Sequence, residues 1–382
     1  MLYRKFGQTN QMVSNLGFGC MRLPIIGDDP TNIDEDTATA MIRSAVDAGV
    51  NYVDTAYPYH GTGFAQGGAS ELFVARALKD GYRERVYLAT KLPSWLIKTR
   101  ADMDKYLNEQ LERLETDVID FYLVHALNAD VWPVLKEAGI KEFLDAAIQD
   151  GRIKYAGFSF HDQTDLFKEI VDYYDWSFCQ IQYNYLDENY QAGKEGLEYA
   201  GKKGLGIAVM EPLRGGNLAG LPREAQGIIA AAAVKRSPVE WALRWVWNHS
   251  QVSVVLSGMT APEHVVENIR VAQEGKADSL TTKELEIIER LKQFFKEKIK
   301  VNCTGCKYCM PCPAGINIPG NFSIYNDYWV FESLAAAKQS YQHMARRSAP
   351  LAECLECARC ESHCPQGIAI SRELKNIRAV FE

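Results

Sequence analysis

Short apolar runs alternate along the chain with longer segments in which apolar residues recur at helical spacing. Each run is four to seven residues long and rich in Val, Ile, Leu or Phe, which is typical of strands buried on both faces. The runs predict eight strands: Ser14–Gly19, Asn51–Asp54, Val86–Thr90, Val118–Val124, Ile153–Phe158, Phe178–Gln182, Gly206–Val209 and Val252–Leu256.

The segments between these strands have the apolar spacing of helices, and two of them begin with a proline in the first turn, where its missing N–H costs nothing. The predicted helices are Glu35–Ala48, Ser70–Leu78, Asp102–Leu114, Lys141–Gln149, Gln163–Tyr173, Glu195–Lys203, Pro238–Asn248 and Pro262–Ala272. Eight strand–helix units predict an α/β fold, a closed (β/α)8 TIM barrel. An open doubly wound sheet is the alternative, and the first strand is followed by no G-x-G-x-x-G motif that would favour it.

A charged amphipathic helix over about residues 277–300, with Thr281 or Thr282 as its N-cap, marks the predicted domain boundary. A barrel of roughly 250–300 residues leaves room for one small domain in a chain of 382 residues. We therefore expect a barrel over 1–290 and a small domain over 291–382. In the small domain, Phe322–Tyr341 is predicted to be helical. Its aromatic residues are expected to pack against the barrel or cover the metal sites, and a quinone-binding or partner surface is the alternative.

The charge is unevenly distributed between these two parts. Residues 291–382 carry 12 Lys/Arg and 8 Asp/Glu, a balance of +4, whereas the rest carries 30 and 41, a balance of −11. The basic residues do not form a run that could follow phosphates, so nucleic-acid binding is not expected. No apolar stretch has the length of a signal peptide core or a membrane span, and we expect a cytoplasmic protein without membrane contact.

Polar residues near the ends of consecutive predicted strands form a candidate catalytic site: Asp54, Tyr59, Lys91 and His125. In a barrel, the carboxyl ends of the strands meet at one mouth, so these side chains should converge. Carbonyl reduction requires a hydride on carbon and a proton on oxygen, and a phenol whose pKa is lowered by a neighbouring ammonium is a suitable proton donor. Asp54 would hold Lys91 in place, and His125 would orient the substrate oxygen.

Each of these residues also has a simpler explanation when taken alone. Asp54 could cap a turn, Lys91 could be a solvated strand end, and His125 could be a buried core histidine with its bonds satisfied. Tyr59 could be a packed aromatic. The combination at successive strand ends is what favours a catalytic site.

Five separated motifs resemble those of aldo-keto reductases, in the same order along roughly residues 1–275: YRKFG at 3–7, VSNLGFGCMRLP at 13–24, DTAYPY at 54–59, LATK at 88–91 and YLVH at 122–125. The resemblance implies a catalytic tetrad of Asp54, Tyr59, Lys91 and His125, with Tyr59 as the proton donor. It also implies a nicotinamide cofactor, NADP or NAD, and a small carbonyl or alcohol substrate. The implied cofactor contacts are Cys20, Met21, Ser159, Gln180, Met210, Pro212, Leu213, Gly258, Met259, Glu267 and Asn268.

The sequence departs from the family pattern at several cofactor positions. Phe160 replaces an asparagine that commonly follows the serine, and Met210 replaces an aromatic ring that often stacks on the nicotinamide. Gly258 and His264 stand where a lysine and an arginine often bind the 2′-phosphate of NADP. The choice between NADP and NAD therefore stays open.

Eight of the ten cysteines lie within the last 80 residues, in two groups. Such clustering in a cytoplasmic protein indicates metal binding before disulfides. The second group, Cys354, Cys357, Cys360 and Cys364 followed by proline, has the spacing of bacterial ferredoxins, and the first, Cys303, Cys306, Cys309 and Cys312, is one residue shorter before its last cysteine. Structural zinc is the alternative, but paired zinc knuckles do not explain a third cysteine or the trailing proline.

The resemblance to two-cluster ferredoxins implies a ferredoxin-like domain with two [4Fe–4S] clusters that exchange their fourth ligands. One cluster would take Cys303, Cys306, Cys309 and Cys364, and the other Cys354, Cys357, Cys360 and Cys312. Because a nicotinamide transfers two electrons and a cluster one, direct exchange between them is unfavourable. The leading hypothesis is therefore a carbonyl reductase whose clusters are structural, regulatory or serve a redox partner protein. The alternative is a redox sensor or electron carrier that uses the barrel as a nucleotide-binding scaffold.

Overall fold

The computed structural model describes residues 1–303, 305, 307–346 and 348–382. These residues form two compact units, and each contains two chain segments. The first unit consists of Met1–Leu218 and Arg236–Thr281, and the second of Ala219–Lys235 and Thr282–Glu382. The predicted boundary between residues 290 and 291 falls within a helix of the second unit.

The first unit is a closed barrel of eight parallel strands, which confirms the predicted (β/α)8 fold. A short antiparallel hairpin, β1 (Tyr3–Lys5) and β2 (Met12–Ser14), precedes the barrel and places Phe6 in its core. The barrel strands are β3 (Leu16–Gly19), β4 (Tyr52–Asp54), β5 (Tyr87–Leu92), β6 (Ile119–Leu127), β7 (Ile153–Phe160), β8 (Phe178–Gln182), β9 (Gly206–Met210) and β10 (Val254–Ser257). β10 pairs with both β9 and β3 and thereby closes the sheet.

Helices connect the barrel strands, and their first turns show why they begin where they do. The side chain of Asp34 caps the first helix, Thr99 and Asp102 form a capping box, and Ser237 caps a helix with proline in its first turn. The helices are α1 (Glu35–Asp47), α2 (Ser70–Ala77), α3 (Arg100–Arg113), α4 (Trp132–Glu137), α5 (Ile140–Gln149), α6 (Thr164–Tyr173), α7 (Gly193–Lys202), α8 (Arg223–Ala230), α9 (Pro238–Trp247), α10 (Pro262–Ala272), α11 (Thr282–Lys298), α12 (Ile318–Phe331), α13 (Leu334–Ala345), α14 (Arg359–Ser362) and α15 (Ile370–Phe381).

The second unit is helical and has its own apolar core, to which α12, α13 and α15 contribute. The segment Phe322–Tyr341 is helical, as predicted, but a break divides it, because the chain leaves α12 at Glu332 with φ of +56° before α13 begins. Many of its aromatic residues pack internally: Phe322, Tyr325 and Tyr341 belong to the core. Among the described residues, no helix combines the length and apolar character that crossing a membrane would require.

Candidate active site

A buried lysine forms the centre of the candidate site. Lys91, on β5, is fully buried, and its Nζ donates to both carboxylate oxygens of Asp54 at 2.8 and 2.7 Å. It also donates to the carbonyl oxygen of Thr55 at 2.8 Å and lies 3.3 Å from the Tyr59 hydroxyl. The three donated protons of an ammonium are thus directed at the end of β4 and the turn that follows it.

The electrostatics of the phenol differ from the sequence expectation. Burial raises the pKa of Tyr59, Lys91 lowers it and Asp54 raises it, and the net result is a pKa above the ordinary value. Lys91 lowers the pKa of Tyr59, as predicted, but burial, which the sequence did not show, outweighs this effect. Burial lowers the pKa of Lys91, but Asp54 and Tyr59 raise it by more, so the lysine remains an ammonium at neutral pH.

His125 on β6 lies beside the phenol. Its ring centroid is 6.1 Å from that of Tyr59 and 5.2 Å from that of Trp95. Burial lowers the pKa of His125 well below its usual value, and the charges of Lys91 and His161 lower it further. The imidazole is therefore neutral at neutral pH, and its Nδ1 is buried without a hydrogen-bond partner among the described residues.

A buried polar network supports the backbone of Lys91. Glu71 on α2 accepts hydrogen bonds from Thr90 Oγ1 at 2.7 Å, Gln110 Nε2 at 2.7 Å and Arg113 Nε at 2.8 Å. Gln110 Nε2 also lies 3.0 Å from the carbonyl oxygen of Lys91. This network joins α2 and α3 to β5 directly behind the ammonium.

Sequence reasoning missed Glu71, Gln110 and Trp95. A carboxylate within the apolar segment of α2 is a signal that could have found Glu71, because an unpaired buried charge is too costly to persist. Trp95 stands four residues after Lys91 in a predicted loop, where nothing in the sequence distinguishes a site residue from a packed aromatic.

Nine of the eleven predicted cofactor residues lie on or just after five barrel strands, and the other two lie on a helix. Cys20 and Met21 follow β3, Ser159 is on β7, Gln180 on β8 and Met210 at the end of β9. Pro212 and Leu213 follow β9, Gly258 and Met259 follow β10, and Glu267 and Asn268 are on α10.

Some of these side chains already have partners within the protein. Ser159 Oγ accepts a hydrogen bond from the Ala126 amide at 2.7 Å, and Glu267 Oε1 accepts one from Ser237 Oγ at 2.6 Å. Gln180 Nε2 lies 3.5 Å from Met210 Sδ, whereas its Oε1 is buried and has no partner in the part of the chain that the structure describes. That amide oxygen is free to accept a donor from a bound molecule.

The predicted cluster ligands fall into two sets in the second unit. Cys303, Cys309 and Cys364 line one small cavity. Cys312, Cys354, Cys357 and Cys360 line another. The last cysteine of each sequence group therefore lies with the other group, and Cys306 lies outside the described residues.

Family models match both parts of the chain. The aldo/keto reductase family model matches residues 15–293, and a 4Fe-4S dicluster domain model matches residues 302–369. The second match favours iron–sulfur clusters over the zinc alternative, because the matched domain is defined by two such clusters.

Individual relatives agree with the first match. An NADH-specific methylglyoxal reductase of Escherichia coli is 26% identical over 335 residues, which are 75% of this chain and 98% of that protein. A 6-dehydroglucose reductase of Novosphingobium aromaticivorans is 31% identical over 163 residues, 41% of this chain and 51% of that protein. The structure also aligns with the holo form of an aldo-keto reductase from Bacillus halodurans, with a TM-score of 0.63 and 27% sequence identity. The alignment covers 76% of this chain and 96% of that chain.

The family model matches most of the barrel domain rather than a single motif, and the fold agrees with it. The chain is an oxidoreductase that belongs to the aldo-keto reductase family and carries a C-terminal 4Fe-4S dicluster domain.

Proposed function

We propose that the chain is an NAD(P)H-dependent reductase of small aldehydes or ketones that also oxidises the corresponding alcohols. The observation that carries this proposal is the buried ammonium of Lys91, paired with Asp54 and 3.3 Å from the Tyr59 hydroxyl. A phenol next to a fixed cation can donate its proton to a carbonyl oxygen and be protonated again afterwards, and reduction of a carbonyl group requires such a donor.

The contacts of the four residues support a role for each of them in this reaction. A bound nicotinamide supplies the hydride that reaches the carbonyl carbon. Tyr59 donates its phenolic proton to the carbonyl oxygen, and Lys91 stabilises the phenolate that remains. Asp54 keeps Lys91 charged and aimed at the phenol. The neutral imidazole of His125 donates a hydrogen bond to the same oxygen and so fixes the orientation of the substrate.

The predicted nucleotide residues are compatible with a nicotinamide nucleotide. The unpartnered Oε1 of Gln180 suits the amide N–H of a carboxamide group, and the Ser159 hydroxyl keeps a proton to donate. Residues 258–269 contain no Lys or Arg that could bind the 2′-phosphate of NADP. The aliphatic part of the Arg22 side chain lies close to Gly258, but its guanidinium pairs with Glu211 at 3.3 Å. We therefore expect NADH to be used at least as well as NADPH, as in the relative named NADH-specific.

The two cysteine sets are proposed to hold two [4Fe–4S] clusters. Cys303, Cys306, Cys309 and Cys364 would bind one, and Cys312, Cys354, Cys357 and Cys360 the other. These clusters would transfer single electrons to a redox partner protein or stabilise the second unit. With all four positions of each cluster taken by cysteines, we expect the carbonyl chemistry to take place at the tetrad of the first unit.

The test is the steady-state oxidation of NADH and NADPH by the anaerobically purified protein with a panel of small aldehydes and ketones. The variant Tyr59→Phe should lose at least about 100-fold in kcat, because the proton donor is gone, while nucleotide binding is retained. Tyr87→Phe is the matched control, since its hydroxyl bonds Gln11 and is remote from the Lys91 ammonium. Equal turnover by Tyr59→Phe and the parent would overturn the assignment.

A further inference from the structure

His60, the residue directly after Tyr59, holds an uncommon backbone conformation. Its φ is +56°, in the left-handed region that residues other than glycine rarely adopt. The adjacent turn is tightly packed, because a Cβ at Gly68 would lie 2.0 Å from the carbonyl oxygen of Tyr59. Such strain persists only where surrounding contacts fix the conformation, and His60 makes two of them through its ring.

Both ring nitrogens of His60 bond the backbone of the loop that follows β3. The Leu23 amide donates to Nε2 at 3.1 Å, and Nδ1 lies 2.7 Å from the carbonyl oxygen of Pro30. An amide can only donate and a carbonyl can only accept, so Nδ1 carries the proton and the imidazole is neutral. Burial lowers the pKa of His60, which favours this neutral form.

The loop held in this way contains predicted cofactor contacts. Cys20 and Met21 stand three and two residues before Leu23, and the Cys20 amide donates to the carbonyl oxygen of Asp54 at 2.8 Å. Arg22, next to Leu23, reaches Glu211 after β9. The His60 ring therefore connects the nucleotide side of the mouth to the turn that carries the phenol.

We propose that His60 is a positioning residue, a clamp that links the loop 20–34 to the Tyr59 turn and thereby couples nicotinamide nucleotide binding to the placement of the proton donor. This inference rests on the proposed function for its catalytic consequence. The clamp itself is a property of the nucleotide-free protein and can be measured without any turnover.

The decisive variant is His60→Gly, because glycine accepts the left-handed conformation and lacks the ring, and a glycine control accounts for its greater backbone freedom. Hydrogen exchange of peptides within 20–34 should become faster in the nucleotide-free variant. The dissociation constant and KM for NADH should rise about tenfold, equivalent to ~1.4 kcal/mol. The kcat should fall, because the Tyr59 turn is no longer held, while the KM for the carbonyl substrate stays unchanged. Added imidazole should restore part of the protection and of the nucleotide affinity.

The matched control is Asn10→Gly, which also replaces a left-handed residue, at φ of +61°, in the hairpin before the barrel. It should leave exchange within 20–34 and nucleotide affinity as in the parent. Parent-like exchange within 20–34 in His60→Gly would overturn the clamp. If exchange within 20–34 were faster in His60→Gly but the parent reduced no carbonyl compound, the clamp would stand and the proposed function would be overturned.

Discussion

At the scale of single residues, the Lys91–Asp54 pair decides what the site can do. Both side chains are almost completely removed from water, and an ion pair in such a place is costly to break from one side. Burial is the main cause of the raised pKa of Tyr59, and Asp54 offsets part of the lowering that the Lys91 ammonium exerts on the phenol. The sequence shows the residue types that meet but not the degree of their burial, so the sign of this shift could not be predicted from it.

We expect Lys91→Met to fail in two separable ways. The variant leaves Asp54 buried and unpaired, which should lower the free energy of unfolding by about 3–5 kcal/mol. It also removes the cation that stabilises the phenolate, so kcat should fall by roughly 100- to 10,000-fold. Chemical denaturation and steady-state assays measure the two effects.

The double variant Lys91→Met, Asp54→Asn separates stability from chemistry. Replacing the carboxylate by an amide removes the uncompensated charge, so much of the lost stability should return while kcat stays low. Recovery of kcat together with stability would show that Lys91 acts only as a structural ion-pair partner.

At the scale of elements, periodicity predicted all eight barrel strands and a helix after each of them. The ends were less predictable: β6 continues to Leu127 and β7 to Phe160, because pairing with neighbouring strands extends them beyond their apolar runs. The short α4 was missed, since six residues show too little periodicity. The break at Glu332 was missed because no glycine or proline marks it.

The contacts between elements behind the site were also invisible to periodicity, and Glu71 is their centre. In the parent protein, Thr90, Gln110 and Arg113 all donate to the carboxylate of Glu71. The variant Glu71→Gln places an amide, which is itself a donor, among these three donors. We expect a loss of about 3–5 kcal/mol in the free energy of unfolding, because the Arg113 side chain, only 15% exposed, loses its counter-charge.

A surface ion pair provides the control for this prediction. Glu35 pairs with Arg76, and both side chains are about half exposed, at 48% and 46%. The variant Glu35→Gln should change the free energy of unfolding by less than about 1 kcal/mol. If denaturation showed similar small losses for both variants, the network around Glu71 would not be what holds α2 and α3 against β5.

At the scale of the whole molecule, the uneven charge agrees with the proposed cluster sites. Four thiolates around a [4Fe–4S] core give a formal charge of about −2, and nearby basic residues offset such a charge. The C-terminal part, residues 291–382, has a balance of +4, while the rest of the chain is acidic. The cysteine spacing predicted which part would hold the clusters, and the two cavities support the predicted exchange of the fourth ligands.

The exchange of ligands makes a specific prediction about iron content. Cys312→Ala should remove a ligand from the cluster of Cys354, Cys357 and Cys360, and Cys364→Ala should remove one from the other cluster. Each variant, purified anaerobically, should contain roughly half of the parent's iron and sulfide, since two equal clusters are expected. The two variants should also differ in the electron paramagnetic resonance spectrum of the reduced cluster that remains.

Cys179→Ala is the control, because Cys179 is buried in the barrel on β8 and belongs to neither group. It should keep the full iron content, which shows that replacing a buried cysteine does not by itself release a cluster. If Cys312→Ala kept full iron and the parent spectrum, Cys312 would not be a ligand. The cavity that it shares with Cys354, Cys357 and Cys360 would then need another source for the fourth thiolate.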